Sequence, residues 1–166
     1  MTTIAFDADG MVAWDSQVTL DNIREAALDM KVKVEADWII GVAGDLSLRD
    51  SVVDWFLNGH DREKVPRGSW GMLAWRDGKL WHADSGNVTP GEVAIPYAIG
   101  TGAVIARTAM RLGKNAREAV GVAVEMDIFS GPPVHSMNVK EALAMAKAKG
   151  SKPKGKKGSG GGKKKC

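Results

Sequence analysis

At 166 residues, with 44% hydrophobic and 26% charged side chains, the chain has the make-up of one globular domain large enough to bury a core without staples. A single cysteine, Cys166, excludes an intramolecular disulfide and a thiolate metal cluster. There is no signal-peptide pattern and no apolar run approaching the ~18 residues of a membrane helix, so the expected address is cytoplasmic.

The formal charge of +3 hides an asymmetry. Without the nine lysines between Lys147 and Lys165, 14 basic residues face 20 acidic ones, an acidic body near −6 carrying a basic tail.

In chain order, IAFDADGMVAWDS reads as a β-hairpin turning at Asp9-Gly10. KVKVEADWIIGVAGD reads as a second, turning at Ala36-Asp37. Residues 46–60 carry helical spacing through Leu48, Val52, Trp55 and Phe56, with Gly59 as the stop. GMLAWRDGKLWHADS is a hairpin turning at Asp77-Gly78, and VAIPYAIG is a further strand. Two helices follow, roughly 103–112 and 116–126, broken at Gly113, the second opened by an Asn115…Glu118 capping box. VHSMNV closes the strands, and Asn138…Glu141 caps a last helix. Hairpins grouped around helices indicate an α+β layered fold rather than alternating parallel units. The expected division is one domain over 1–149 and a disordered lysine- and glycine-rich tail over 150–166.

The start, Met1-Thr2-Thr3, allows two readings. Both threonines suit a strand. Alternatively, removal of Met1 exposes Thr2 as a nucleophile whose own α-amine, with a reference pKa near ~8, serves as its base. A lysine ammonium nearby would steady the hydroxyl oxygen and depress the amine further. Lys31 and Lys33 are both candidates, since alternate strand residues share a face.

Competing signals are weaker. Gly100-x-Gly102 lacks the third glycine of a dinucleotide fingerprint, and His60, His82 and His135 show no metal-ligand spacing. No cofactor and no metal is expected. Trp14 and Trp38 are candidates for a pocket or for core. The tail offers salt-sensitive attraction for nucleic acid or another polyanion, and otherwise only solubility.

MTTIAFDADGMVAWDSQVTLDN resembles the start of proteasome β-subunits and, more closely, of the bacterial HslV peptidase family, both N-terminal-threonine hydrolases. Asp15 leads to Lys31 at the family's sixteen-residue spacing, IIGVAGD resembles its glycine-ended strand, AIGTGAVIARTAMRL its Gly-Ser-Gly and helix, and DIFSG its Asp-x-x-Ser-Gly motif. The resemblance spans about residues 2–140 in order.

It implies a four-layer αββα sandwich, the N-terminal nucleophile hydrolase fold, and a threonine-type endopeptidase over residues 1–149. By position it implies Thr2 as nucleophile and base, Lys31 as the ammonium and Asp15 as its partner. Gly41 would be the oxyanion donor, a role worth roughly 3–4 kcal/mol elsewhere. Thr101 would assist at the amine, and Asp127 and Ser130 would anchor the N-terminus and relay protons. It further implies unfolded polypeptide as substrate, closed homo-oligomeric rings with helix 46–60 as a contact, and a separate AAA+ ATPase unfoldase. The rival reading is an inactive ring scaffold whose basic tail grips a polyanion.

Overall fold

A computed structural model of the chain describes residues 2–20, 23–26 and 31–150. Met1, whose removal the sequence reading requires, lies outside the described residues. So does the tail, except Gly150, which ends the last helix.

Two antiparallel sheets face each other. The first contains β1 (Thr3–Phe6), β2 (Met11–Asp15), β10 (Tyr97–Gly100) and β11 (Val134–Asn138), in the order β10-β1-β2-β11. The second contains β5 (Val32–Glu35), β6 (Trp38–Gly44), β7 (Trp70–Arg76), β8 (Lys79–Asp84) and β9 (Asn87–Val93), in sequence order. β3 (Gln17–Leu20) and β4 (Ile23–Ala26) form a separate hairpin that continues β2.

Period-two alternation divides each strand between two cores. Ile4, Phe6, Val12 and Trp14 from the first sheet meet Ile39, Leu73, Trp75 and Leu80 from the second, filling the space between the sheets. The opposite face of the second sheet carries Ile40, Val42, Met72 and Ala74, which α1 (Arg49–Leu57) covers with Val52, Val53, Trp55 and Phe56. The opposite face of the first sheet carries Ala5, Ala13 and Ala98 beneath α2 (Ala103–Arg111) and α3 (Ala116–Met126). Alanine on both surfaces lets these helices sit close to the sheet. The layers are thus helix, sheet, sheet, helix, the four-layer αββα arrangement. α4 (Val139–Gly150) runs beside β11 and β5 and seats Val139 and Leu143 on the inter-sheet core.

Local chemistry fixes the pieces that carry the site. Asp77 (φ 51°) and Gly78 (φ 80°) are both left-handed, as a two-residue β7–β8 turn demands. The Asn115–Glu118 capping box is formed in both directions. Asp7, buried in the first hairpin, accepts from the Met11 N–H and, through its other oxygen, from the Ala116 N–H at the start of α3. That contact ties the β1–β2 hairpin to the helix whose far end delivers Asp127. β9 departs from the sequence reading, which left NVTPGEV unassigned, and the strand read over 93–100 is confined to Tyr97–Gly100.

Candidate active site

The first residues of β1 enter between the sheets beside the end of β2. Asp15, the last residue of β2, is fully buried, and its carboxylate accepts four hydrogen bonds. Oδ1 takes the Thr3 N–H at 2.7 Å and the Lys31 ammonium at 2.9 Å. Oδ2 takes the Gln17 N–H at 3.0 Å and the Gly131 N–H at 3.1 Å. Lys31, 1% exposed, spends a second donor on the Gln17 carbonyl at 2.7 Å. One carboxylate oxygen therefore holds both the backbone next to Thr2 and the buried ammonium. Burial lowers the Lys31 pKa from its ordinary value, and the Asp15 charge and hydrogen bond oppose that shift. Lys33, the rival on sequence grounds, is half-buried and pairs loosely with Glu35 at 3.4 Å and Asp50 at 3.8 Å.

A second network lies on the other side of Thr3. Thr101 precedes α2, and Asp127 caps the C-terminus of α3, so the antiparallel helix pair brings them together. The Thr101 hydroxyl donates to Asp127 Oδ2 at 2.6 Å, and the Ser130 hydroxyl donates to the same oxygen at 2.7 Å. With its proton committed there, Ser130 accepts from the Thr3 hydroxyl at 2.7 Å, and Thr3 in turn accepts from the Gly102 N–H at 3.1 Å. Partial burial raises the Asp127 pKa, but the Thr101, Ser130 and Phe129 N–H hydrogen bonds outweigh it, and the net shift is downward.

Thr2 itself is 1% exposed, and its carbonyl accepts from the Thr101 N–H at 3.0 Å. The approach is close enough to need glycine. Gly100 is left-handed (φ 95°), and a Cβ there would collide with the Thr2 carbonyl; one on Gly102 would collide with the Thr3 hydroxyl.

Thr2, Gly100 and Thr101 form one wall of a pocket of about 230 Å³, and Ala43, Gly44 and residues 69–71 form the other. Gly41 lies elsewhere. It is mid-strand, opposite Val32 and Leu73, with Ile4 packed over it. The Val42 N–H bonds the Lys31 carbonyl on the β5 side, and the Asp45 N–H bonds the Ser69 carbonyl on the β7 side. By the alternation of an antiparallel ladder, Gly41 directs its N–H into the β7 pairing and Gly44 directs its own away from β7. The glycine that borders the pocket is Gly44, left-handed at φ 105°. Trp14 packs between the sheets, and Trp38 lies at the other end of β6 from Gly44.

No protein-family model and no curated protein sequence matches the chain. Solved structures do. Thiobacillus denitrificans BPH superposes with a TM-score of 0.65 at 18% identity, covering 82% of this chain and 96% of that one. The same protein in complex with Epoxomicin gives a TM-score of 0.65 at 18% identity, covering 82% and 97%. The eukaryotic HslV from Trypanosoma brucei gives 0.65 at 20% identity, covering 82% and 98%. The chain has the HslV-type, N-terminal-nucleophile hydrolase fold. Within that fold, Thr2, Asp15, Lys31, Thr101, Asp127 and Ser130 converge where β1 begins, and Gly41 stands outside the cluster.

Sequence reasoning missed Thr3, Gln17 and Gly44. Thr3 was legible only as a strand former, although it is the second of a Thr-Thr pair. Gln17 contributes a backbone carbonyl, which no side-chain pattern reveals. Gly44 stands in IIGVAGD three residues beyond Gly41, the glycine that the resemblance singled out.

Proposed function

We propose that the protein is a threonine-type endopeptidase subunit in which removal of Met1 frees the Thr2 amine beside the Thr2 hydroxyl. The observation that carries this reading is the buried Asp15 oxygen shared by the Thr3 N–H and the Lys31 ammonium. A fully buried ion pair next to a chain start is costly unless well satisfied, and here every Asp15 lone pair direction has a donor.

The freed amine takes the hydroxyl proton as Thr2 Oγ attacks a peptide carbonyl, and later returns it to the leaving amine. The Lys31 ammonium keeps the amine neutral and the oxygen nucleophilic. Asp15 keeps Lys31 in place. Thr101, Ser130 and Asp127 orient the chain start through Thr3. The oxyanion takes the Gly44 N–H rather than the Gly41 N–H. The fold's kinship with HslV supports homo-oligomeric rings fed with unfolded polypeptide by a separate ATP-driven unfoldase.

Thr2→Ala tests the assignment. Peptide hydrolysis is expected to vanish while assembly, followed by sedimentation, is unchanged. Turnover equal to wild type in that variant rules the assignment out.

A further inference from the structure

Two networks meet at Thr3, one from Asp15 and Lys31 and the other from Asp127 and Ser130. We propose that the Gln17 side chain is a positioning residue for the reaction: its carboxamide clamps the Asp127–Gly131 loop against the end of β2 and so fixes the spacing of the two networks. The inference rests on Thr2 as the nucleophile.

The middle of that loop gains little from apolar burial. Ile128 and Phe129, between Asp127 and Ser130, are 65% and 40% exposed. Bonds within the loop set its shape: the Phe129 N–H donates to Asp127 Oδ1 at 3.2 Å, and the Ser130 N–H donates to the Asp127 carbonyl at 3.1 Å. Neither ties it to the sheet. Its last residue is tied, because the Ser16 N–H donates to the Gly131 carbonyl at 3.0 Å and the Gly131 N–H donates to Asp15.

Gln17 opens β3 two residues after Asp15 and is 5% exposed. Its main chain serves the first network, with the N–H on Asp15 Oδ2 and the carbonyl on the Lys31 ammonium. Its side chain serves the second. Nε2 donates to the Ile128 carbonyl at 3.4 Å. That bond is long, and contact with Gly131 keeps the amide in place: a Cβ added to Gly131 would come within 2.6 Å of Gln17 Oε1 and 3.0 Å of Gln17 Cβ. One buried residue thus touches both networks. An amide suits the position, since a carboxylate there would be buried beside Asp15 and repelled by it.

The consequence falls on the reacting end of the chain. Asp15 accepts the Thr3 N–H at 2.7 Å, and Ser130 accepts from the Thr3 hydroxyl at 2.7 Å. A loop displaced relative to β2 pulls on Thr3, and with it the amine and hydroxyl of Thr2 leave the line of attack.

Hydrolysis of a fluorogenic peptide by assembled protein lacking Met1 tests this. Gln17→Met keeps the bulk over Gly131 and removes the donor. It is expected to lower kcat roughly fivefold. KM should stay within about twofold, because Gln17 does not line the pocket beside Thr2. The maximal rate at which a β-lactone labels Thr2 should fall by the same factor as kcat. A purely structural role would leave kcat per assembled site intact. Should Gln17→Met fail to assemble, Gly131→Ala carries the same comparison, since its Cβ pushes the carboxamide aside while leaving Gln17 in place. Wild type whose Thr2 is not labelled by the β-lactone sinks the nucleophile assignment and this inference together. Labelled wild type with kcat within about twofold of its own value in the assembled variant, or with the loss appearing in KM instead, overturns this inference alone.

Discussion

Lys31 and Lys33 are two residues apart and meet opposite surroundings. Lys31 is 1% exposed and hydrogen-bonded to a carboxylate with no solvent contact, whereas Lys33 leaves 34% of its side chain in water and reaches two carboxylates at 3.4 and 3.8 Å. The first arrangement is expensive to assemble and more expensive to break, because either partner left alone is a buried charge. The second is screened by solvent and adds little. Burial, rather than ion pairing as such, separates the candidate catalytic end of the molecule from its ordinary surface.

Lys31→Ala should break that contrast most. It is expected to abolish peptide hydrolysis and to cost about 3–5 kcal/mol of stability in urea titration, because Asp15 remains buried and uncompensated. A loss below about 1 kcal/mol would mean that the pair is not isolated from water.

Asp127 sharpens the contrast with a smaller effect. Its folded pKa is depressed, so its stabilising contribution is complete above the ordinary carboxylate value near ~4 and disappears as pH falls through the lower folded value. Asp127→Asn should therefore flatten the acid side of the stability profile between those two values. An unchanged acid slope would show that the Thr101 and Ser130 bonds do not favour the ionised form.

Lys33→Ala marks the small end of the comparison. A change within about 1 kcal/mol and undiminished peptide turnover are expected, and a loss matching that of Lys31→Ala would erase the distinction between the two lysines.

The sequence carried the elements whose signals are local. Asp77-Gly78 specifies its turn outright, and Asn115 with Glu118 marks a helix start that needs no tertiary help. β9 was illegible because Pro90 and Gly91 break the apolar alternation, and a strand pairing on one side only, with β8, has little to bury. At the site, the side chains that the structure brings together were reached only through the family resemblance, Asp15 and Lys31 by its sixteen-residue interval and Asp127 and Ser130 by its Asp-x-x-Ser-Gly motif. Backbone donors were not. Whether the N–H of Gly41 or that of Gly44 is free of the β7 pairing depends on strand parity, which the hydrogen bond from the Val42 N–H to the Lys31 carbonyl decides and which no residue identity encodes. Thr3 shows the same limit, since its hydroxyl matters only once Ser130, 127 residues away, is folded against it.

The central claim is that the amine and hydroxyl of Thr2 act as one reactive unit. Intact-mass measurement of freshly purified, assembled protein before and after exposure to a peptide epoxyketone tests it directly. The expected result is a chain lacking Met1 that gains one inhibitor mass at Thr2. A chain that keeps Met1 and gains no mass would contradict it.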